Sequence, residues 1–168
     1  MGYVADTHKS KFIAPFEIVK TAGTWTDSVT ANVGKSVRTA ADAAFNLIIP
    51  IDIMSNASAY KGCKLLSVEV LFKVETTMLD GFSVVELEKV NVSSAGAVTG
   101  AAVATTLDAA NDLEAERRGI ADHRMVLTVT NPEWMDNDAA YYVHLSLDAA
   151  AGSVVTLWGA VANFEIRI

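Results

Sequence analysis

The residues best suited to chemistry in this sequence are few and scattered. Imidazole titrates near neutral pH and binds transition metals, so His8, His123 and His144 come first. They stand in separate segments without ligand spacing, and neither an HExxH motif nor a paired CxxC accompanies them. His144 falls on the more polar face of its segment, as suits a histidine facing solvent or a subunit. Gly34-Lys35-Ser36 has the ending of a phosphate-binding loop. Val29 stands where the first glycine of that loop must be, and no strand-loop-helix context surrounds it.

Asp136-Asn137-Asp138, after Trp134, is the best candidate for a hard cation. Calcium takes about six to eight oxygen ligands, and Asp136 and Asp138 with the intervening amide would supply some of them. The EF-hand pattern is not met, and an ordinary Asp/Asn-rich turn has the same composition. Ser28, Ser36, Ser55 and Ser153 have neither a nucleophile elbow nor a base nearby in sequence. The aromatics Trp25, Trp134, Tyr141, Tyr142 and Trp158 would line a sugar-binding face, or equally fill a core or an interface. No catalytic, cofactor-binding or metal residue is assigned, and the chain is not expected to be an enzyme.

The bulk composition fits that expectation. Of 168 residues, 51% are hydrophobic and 20% charged, which excludes a disordered chain and allows one domain with a substantial core. No run approaches the roughly 20 apolar residues of a membrane-spanning helix. The apolar excess is therefore expected in the core or against partner subunits, as in a homo-oligomer. The net charge of −7 disfavours nucleic acid as a direct partner, because phosphate binding needs clustered Lys and Arg. Met1 to Ser10 lacks the apolar core of a secretory signal, so the sequons Asn56-Ala57-Ser58 and Asn91-Val92-Ser93 read as chance. Cys63 stands alone and leaves no internal disulfide. It begins a strand pattern, as a small apolar residue, and suits folding in a reducing cytoplasm.

The elements that position these groups are strands. Leu66, Val68, Val70, Phe72 and Val74 alternate with more polar neighbours, the period of two expected of a sheet with one buried face. Phe45, Leu47, Ile49, Ile51 and Ile53 repeat the pattern, with Pro50 on the opposite face. Proline cannot donate to a ladder, so this strand is expected at an edge or with a bulge. Asp80-Gly81 is a turn signal, and Leu66 to Val74 with Phe82 to Val92 read as a long hairpin. Ser93 to Thr106 is Gly/Ala-rich and reads as a loop plus a thin strand. Val126 to Thr130, Tyr141 to Asp148 and Val154 to Ile168 extend the series. Leu107 to Asp122 is the one plausible helix or polar excursion.

About eight strands with little helix predict an all-β antiparallel sandwich of jelly-roll type, in a single domain. An immunoglobulin-like or lectin-like sandwich has much the same signature. The domain is expected over residues 24–168. Residues 1–23, poorly periodic and carrying Pro15, are expected as an extended N-terminal arm, a kind of segment that often adds a strand to a neighbour's sheet.

Three segments carry a resemblance. Arg38-Thr39-Ala40-Ala41-Asp42-Ala43-Ala44-Phe45 leading to Ile49-Pro50-Ile51, Val85-Glu86-Leu87-Glu88-Lys89-Val90, and Trp134-Met135-Asp136-Asn137-Asp138-Ala139-Ala140-Tyr141 are similar to uncharacterised virion structural proteins of environmental phages and viruses. The likeness runs from Thr24 to Ile168. It implies a capsid shell or capsid-decoration protein, folded in the host cytoplasm, located in the virion, and partnered by its own copies and other virion proteins. It transfers no catalytic residues. The alternative expectation is a carbohydrate-binding sandwich, such as a receptor-binding tip, with exposed tryptophans.

Overall fold

A computed structural model describes residues 6–52, 62–135 and 139–167. Two antiparallel sheets face each other as a β-sandwich. The first runs β3 (Trp25–Thr30), β4 (Val33–Arg38), β12 (Val154–Arg167), β6 (Cys63–Glu75), β10 (Ala121–Val129), β9 (Thr105–Leu107). The second runs β2 (Val19–Lys20), β5 (Ala43–Ile51), β11 (Ala139–Ala149), β7 (Gly81–Val92), β8 (Val98–Val103). The facing side chains alternate as the period of two requires. Phe45, Leu47, Ile49 and Ile51 meet Val68, Val70, Phe72 and Val74 in one buried cluster, joined by Val143, Leu145, Leu147, Leu157 and Phe164. Fully burying a side chain of this kind stabilises the fold by roughly 1.5–3 kcal/mol.

Two departures from simple alternation have a visible cause. Asn163 pairs with Ser67 while Phe164 pairs with Leu65, so Leu66 is an extra residue in β6. The bulge resets the phase: Cys63 and Leu65 are buried, and Leu66, expected inward, is only half-buried. A second bulge makes Trp158 the extra residue of β12. Gly159 follows it at φ +125°, where a Cβ would lie 2.5 Å from the Ile13 carbonyl oxygen. Glycine here lets a neighbouring strand approach closely.

That neighbour is β1 (Asp6–Ile13), which pairs with β12 from Ala160 to Arg167. The expected arm is thus described from Asp6 onward as a strand of its own chain's sheet, with Ile13 and Ile18 in the core. The Pro50 strand lies next to the edge. Among the described residues only the two-residue β2 flanks β5 on its outer side, pairing with Leu47 and Ile48, and no ladder bond is asked of Pro50 there.

The expected hairpin is not one. β6 and β7 belong to different sheets, and Asp80-Gly81 carries the chain across the core. Phe72 of β6 and Phe82 of β7 instead meet across the core, with ring centroids 5.7 Å apart. The expected helical excursion contains a single turn, α1 (Glu114–Arg117).

That turn closes one end of the sandwich. The Arg117 guanidinium is buried and donates to the carbonyls of Asn111 (2.8 Å), Asp112 (2.9 Å) and Phe82 (3.2 Å). At the same end Arg38, fully buried, donates to the carbonyls of Ala41 (3.0 Å) and Ala43 (3.2 Å) and stacks 4.5 Å from the Phe45 centroid. Burial lowers the pKa of both arginines; Asp148 opposes this at Arg38, and Glu114, Asp112 and Glu116 oppose it at Arg117. Asp108 accepts from the Val126 amide (2.7 Å) and from Asn111 Nδ2 (2.8 Å). Burial would raise its carboxyl, but these bonds, with those from the Asp108 and Ala110 backbone, hold the pKa below the usual value.

Candidate functional site

The other end of the sandwich is built differently. Ser93 and Gly96 reverse the chain after β7: the Ser93 amide donates to Ala97 O (2.8 Å), Gly96 to Ser93 O (2.8 Å), and Ala97 to Ser93 Oγ (3.0 Å). Gly96 adopts φ +80°, which glycine takes without strain. The returning strand, β8, is Val-Thr-Gly-Ala-Ala-Val. It pairs with β7 on one side and, among the described residues, with no strand on the other. Val98 to Ala102 are all exposed. No charged side chain occurs between Lys89 and Asp108. Sheet edges are normally protected from pairing with another chain by charge, proline or a bulge. β1, by contrast, carries Asp6, Lys9 and Lys11 along its length.

Behind β8 the two sheets part into an open cleft of about 320 Å³. Leu65, Leu87, Val103, Val129, Met135 and Tyr141 form its apolar wall, and Lys89, Asn131 and Glu133 bring polar groups to it. The small side chain of Ala101 leaves this space unfilled. Exposed Val92 and Val98 pair opposite each other at the tip of the β7–β8 hairpin, adding a separate apolar spot on the outer face.

The singled-out serines and cysteine lie apart from His8 and His123 among the described residues. Gly34-Lys35-Ser36 lies within strand β4, not a loop, and the Ser36 hydroxyl bonds Asp27. Ser28 is in β3, and buried Ser153 donates to the Met78 carbonyl oxygen at 2.9 Å. His8 is exposed on β1. His123 stacks on Phe72 at 4.7 Å between centroids, with Nε2 2.9 Å from the Gly119 oxygen, as a structural histidine does. Buried Cys63 has its sulfur 3.8 Å from that of Met135. Asp136-Asn137-Asp138, Ser55 and the Asn56 sequon lie outside the described residues.

No protein-family model and no curated protein matches the chain.

The tryptophans are separately engaged. Trp25 packs edge-on against Phe45 at 5.7 Å and donates its indole N–H to Ala22 O at 2.9 Å. Trp158 is half-buried, with Lys35 5.9 Å from its centroid. Trp134 is 36% exposed, but Lys64 and Arg167 lie 4.6 and 4.5 Å from its ring centroid. Those cations hold the ring surface on which a sugar would stack.

Strand register does bring together groups that sequence spacing separates. On the outer face of the second sheet, β11 lies between β5 and β7, with Tyr142 opposite Glu88 and His144 opposite Glu86. Tyr142 donates its hydroxyl to Glu88 at 2.9 Å. That hydrogen bond, with burial and the carboxylate charge, raises the phenol's pKa and keeps its proton in place. Alternation places Glu86 and Glu88 on one face, but nothing in the sequence pairs them with His144, some 56 residues away.

Proposed function

We propose that this protein is a non-enzymatic structural component of a virus particle, a capsid shell or capsid-decoration subunit that acts by self-assembly. The observation that carries the reading is strand order. Taking β4, β5, β6, β7, β8, β10, β11 and β12 as eight successive strands, the first sheet reads first, eighth, third, sixth. The second reads second, seventh, fourth, fifth. That order supports a jelly-roll reading, two interleaved Greek keys, an architecture used by viral capsid and lectin domains. The resemblance read from the sequence over residues 24–168 favours a virion component over a lectin.

The surface supports assembly in its own way. β8 offers an uncharged edge to another strand. The cleft behind it and the Val92–Val98 tip would bury apolar area against a neighbour. The virion is the corresponding location, and other virion proteins the further partners. No helix among the described residues is long and apolar enough to cross a membrane.

Light scattering of the purified protein across a concentration series tests the reading. The expected result is a discrete oligomer or shell whose mass rises with concentration, together with binding to capsid lattices. A strict monomer that binds no lattice overturns it. Glycan-array binding abolished by Trp134→Ala, with folding intact, would instead favour the sugar-binding alternative.

A further inference from the structure

The outer face of the second sheet carries a group of donors that the assembly reading does not use. Glu86, Glu88 and His144 each offer a ligand atom, and the three atoms lie within 4.8 Å of one another. His144 Nδ1 stands 3.3 Å from Glu88 Oε1. Ligand atoms about 2.0–2.2 Å from a tetrahedral ion are separated by roughly 3.4 Å, so this pair already has the spacing of two ligands sharing one ion. Glu86 is exposed at the end of a free side chain and closes the remaining gap by a rotamer change.

The other half of the imidazole supplies a second observation. Nε2 lies 3.2 Å from Asn46 Oδ1, on the strand across from Glu86 and Glu88. With the Nε2 proton donated to Asn46 Oδ1, Nδ1 is the nitrogen turned towards Glu88 Oε1, an ion-pair donor when it carries a proton and a ligand atom when it does not. The other carboxylate oxygen, Oε2, is already taken by the Tyr142 hydroxyl at 2.9 Å. A histidine whose far nitrogen is held by an outer hydrogen bond, and whose near nitrogen meets carboxylates, is arranged as a metal ligand with its supporting shell. A proton or a metal ion between Nδ1 and Oε1 satisfies both atoms.

The geometry points to a divalent metal site at Glu86, Glu88 and His144, suited to zinc(II) or a similar borderline ion. One imidazole with two carboxylates is too nitrogen-rich to favour calcium, whose ligands are oxygen. Three protein ligands leave a fourth position open, directed away from the sheet into solvent. Asn46 and Tyr142 are positioning residues: the first fixes the imidazole tautomer, the second turns Glu88 so that Oε1 faces the ion. This site is independent of the virion assignment.

Isothermal titration of the full-length protein with zinc chloride, repeated with calcium chloride, tests the site. The expected result is one saturable zinc equivalent, with calcium far weaker. Glu86→Gln removes an exposed ligand and leaves the Tyr142–Glu88 and His144–Asn46 bonds intact, so it folds as the wild type does. It should weaken zinc binding by roughly tenfold or more, and His144→Gln should do the same. Absence of saturation at millimolar zinc overturns the proposal. So does wild-type affinity in Glu86→Gln, which decides the matter alone if His144→Gln fails to fold.

Discussion

The two ends of the sandwich solve the same problem in opposite ways. Where strands leave the sheets, backbone carbonyls and core side chains are both brought towards water. At the end holding α1, buried Arg38 and Arg117 collect loop carbonyls and lay their guanidiniums against Phe45 and Phe82. At the other end no such plug stands between β7, β8 and the end of β10 among the described residues, and Leu87, Val103 and Val129 line the cleft behind β8. On the proposed assembly reading the difference separates two roles: the arginine end would secure stability, and the open end would meet other molecules.

The largest effect that would break this comparison is at Arg117. Arg117→Ala leaves the carbonyls of Asn111, Asp112 and Phe82 without their charged donor in a buried setting. The expected loss is about 3 kcal/mol or more, read as a lower urea midpoint at unchanged slope. Oligomer mass, measured on the fraction that remains folded, should not change. A loss of oligomer with stability intact would reverse the assignment of roles.

Asp108 gives a smaller effect with a pH signature. Its carboxyl pKa is lower in the folded state than its unfolded value of about 3.9. Folding therefore favours the ionised form. The stabilisation is fully present above the unfolded value and is lost as pH falls through the folded one. Glu69 acts in the same direction. Its hydrogen bond from Arg124 lowers its pKa; burial opposes this, while Asn163 and the Arg124 charge reinforce it. Thermal melts between neutral pH and pH 2 should show wild-type stability declining in acid, with a shallower decline in Asp108→Asn. At pH 7, Asp108→Ala should cost about 1–3 kcal/mol. An acid profile identical in wild type and Asp108→Asn would remove Asp108 from the account of this end.

How legible each end is in the sequence follows from the range of the interactions that make it. The core faces of β5 and β11 read directly, because Phe45 to Ile51 and Tyr141 to Leu147 alternate strictly and alternation is a local property. The same rule misplaced Leu66, since a bulge depends on the partner strand and leaves no mark in β6 itself. The Asp80-Gly81 turn was visible, but its destination was not: a turn residue sets where the chain bends, not which sheet receives it. Arg117 sits in a segment that looks like an ordinary charged helix, and only the carbonyls it reaches make it structural. Glu86, Glu88 and His144 are the extreme case. Each is readable as outward-facing, and their meeting is fixed only by the register of β7 on β11.

At the open end, filling the cleft should do little to stability. Ala101 lines it, and Ala101→Leu adds apolar volume to space that is already empty. Its urea midpoint should shift by less than about 0.5 kcal/mol in either direction. A loss of several kcal/mol would mean that the cleft closes in solution and belongs to the core.

The smallest expected change in stability, with the largest in assembly, comes from charging the exposed edge. Val98 and Ala102 stand opposite Val92 and Glu88 on β7, on the outer face of β8. Both are exposed, so Val98→Lys with Ala102→Lys buries no charge and removes little packing. The monomer's melting temperature should move by about 1–2 °C at most, the shift expected of surface changes within roughly 0.5 kcal/mol. Any strand pairing through β8 would then set lysines beside the incoming chain, the device by which natural edges prevent such pairing. If β8 is an assembly edge, light scattering of the double variant gives a monomer at concentrations where wild type associates. If wild type and variant associate equally, the uncharged edge is incidental, and assembly must run through another surface. A lysine pair on β1, whose Lys9 and Lys11 already protect that edge, is the matched control. Thr7→Lys with Ser10→Lys should leave association unchanged, so a common loss in both variants would report added charge and not a lost strand contact.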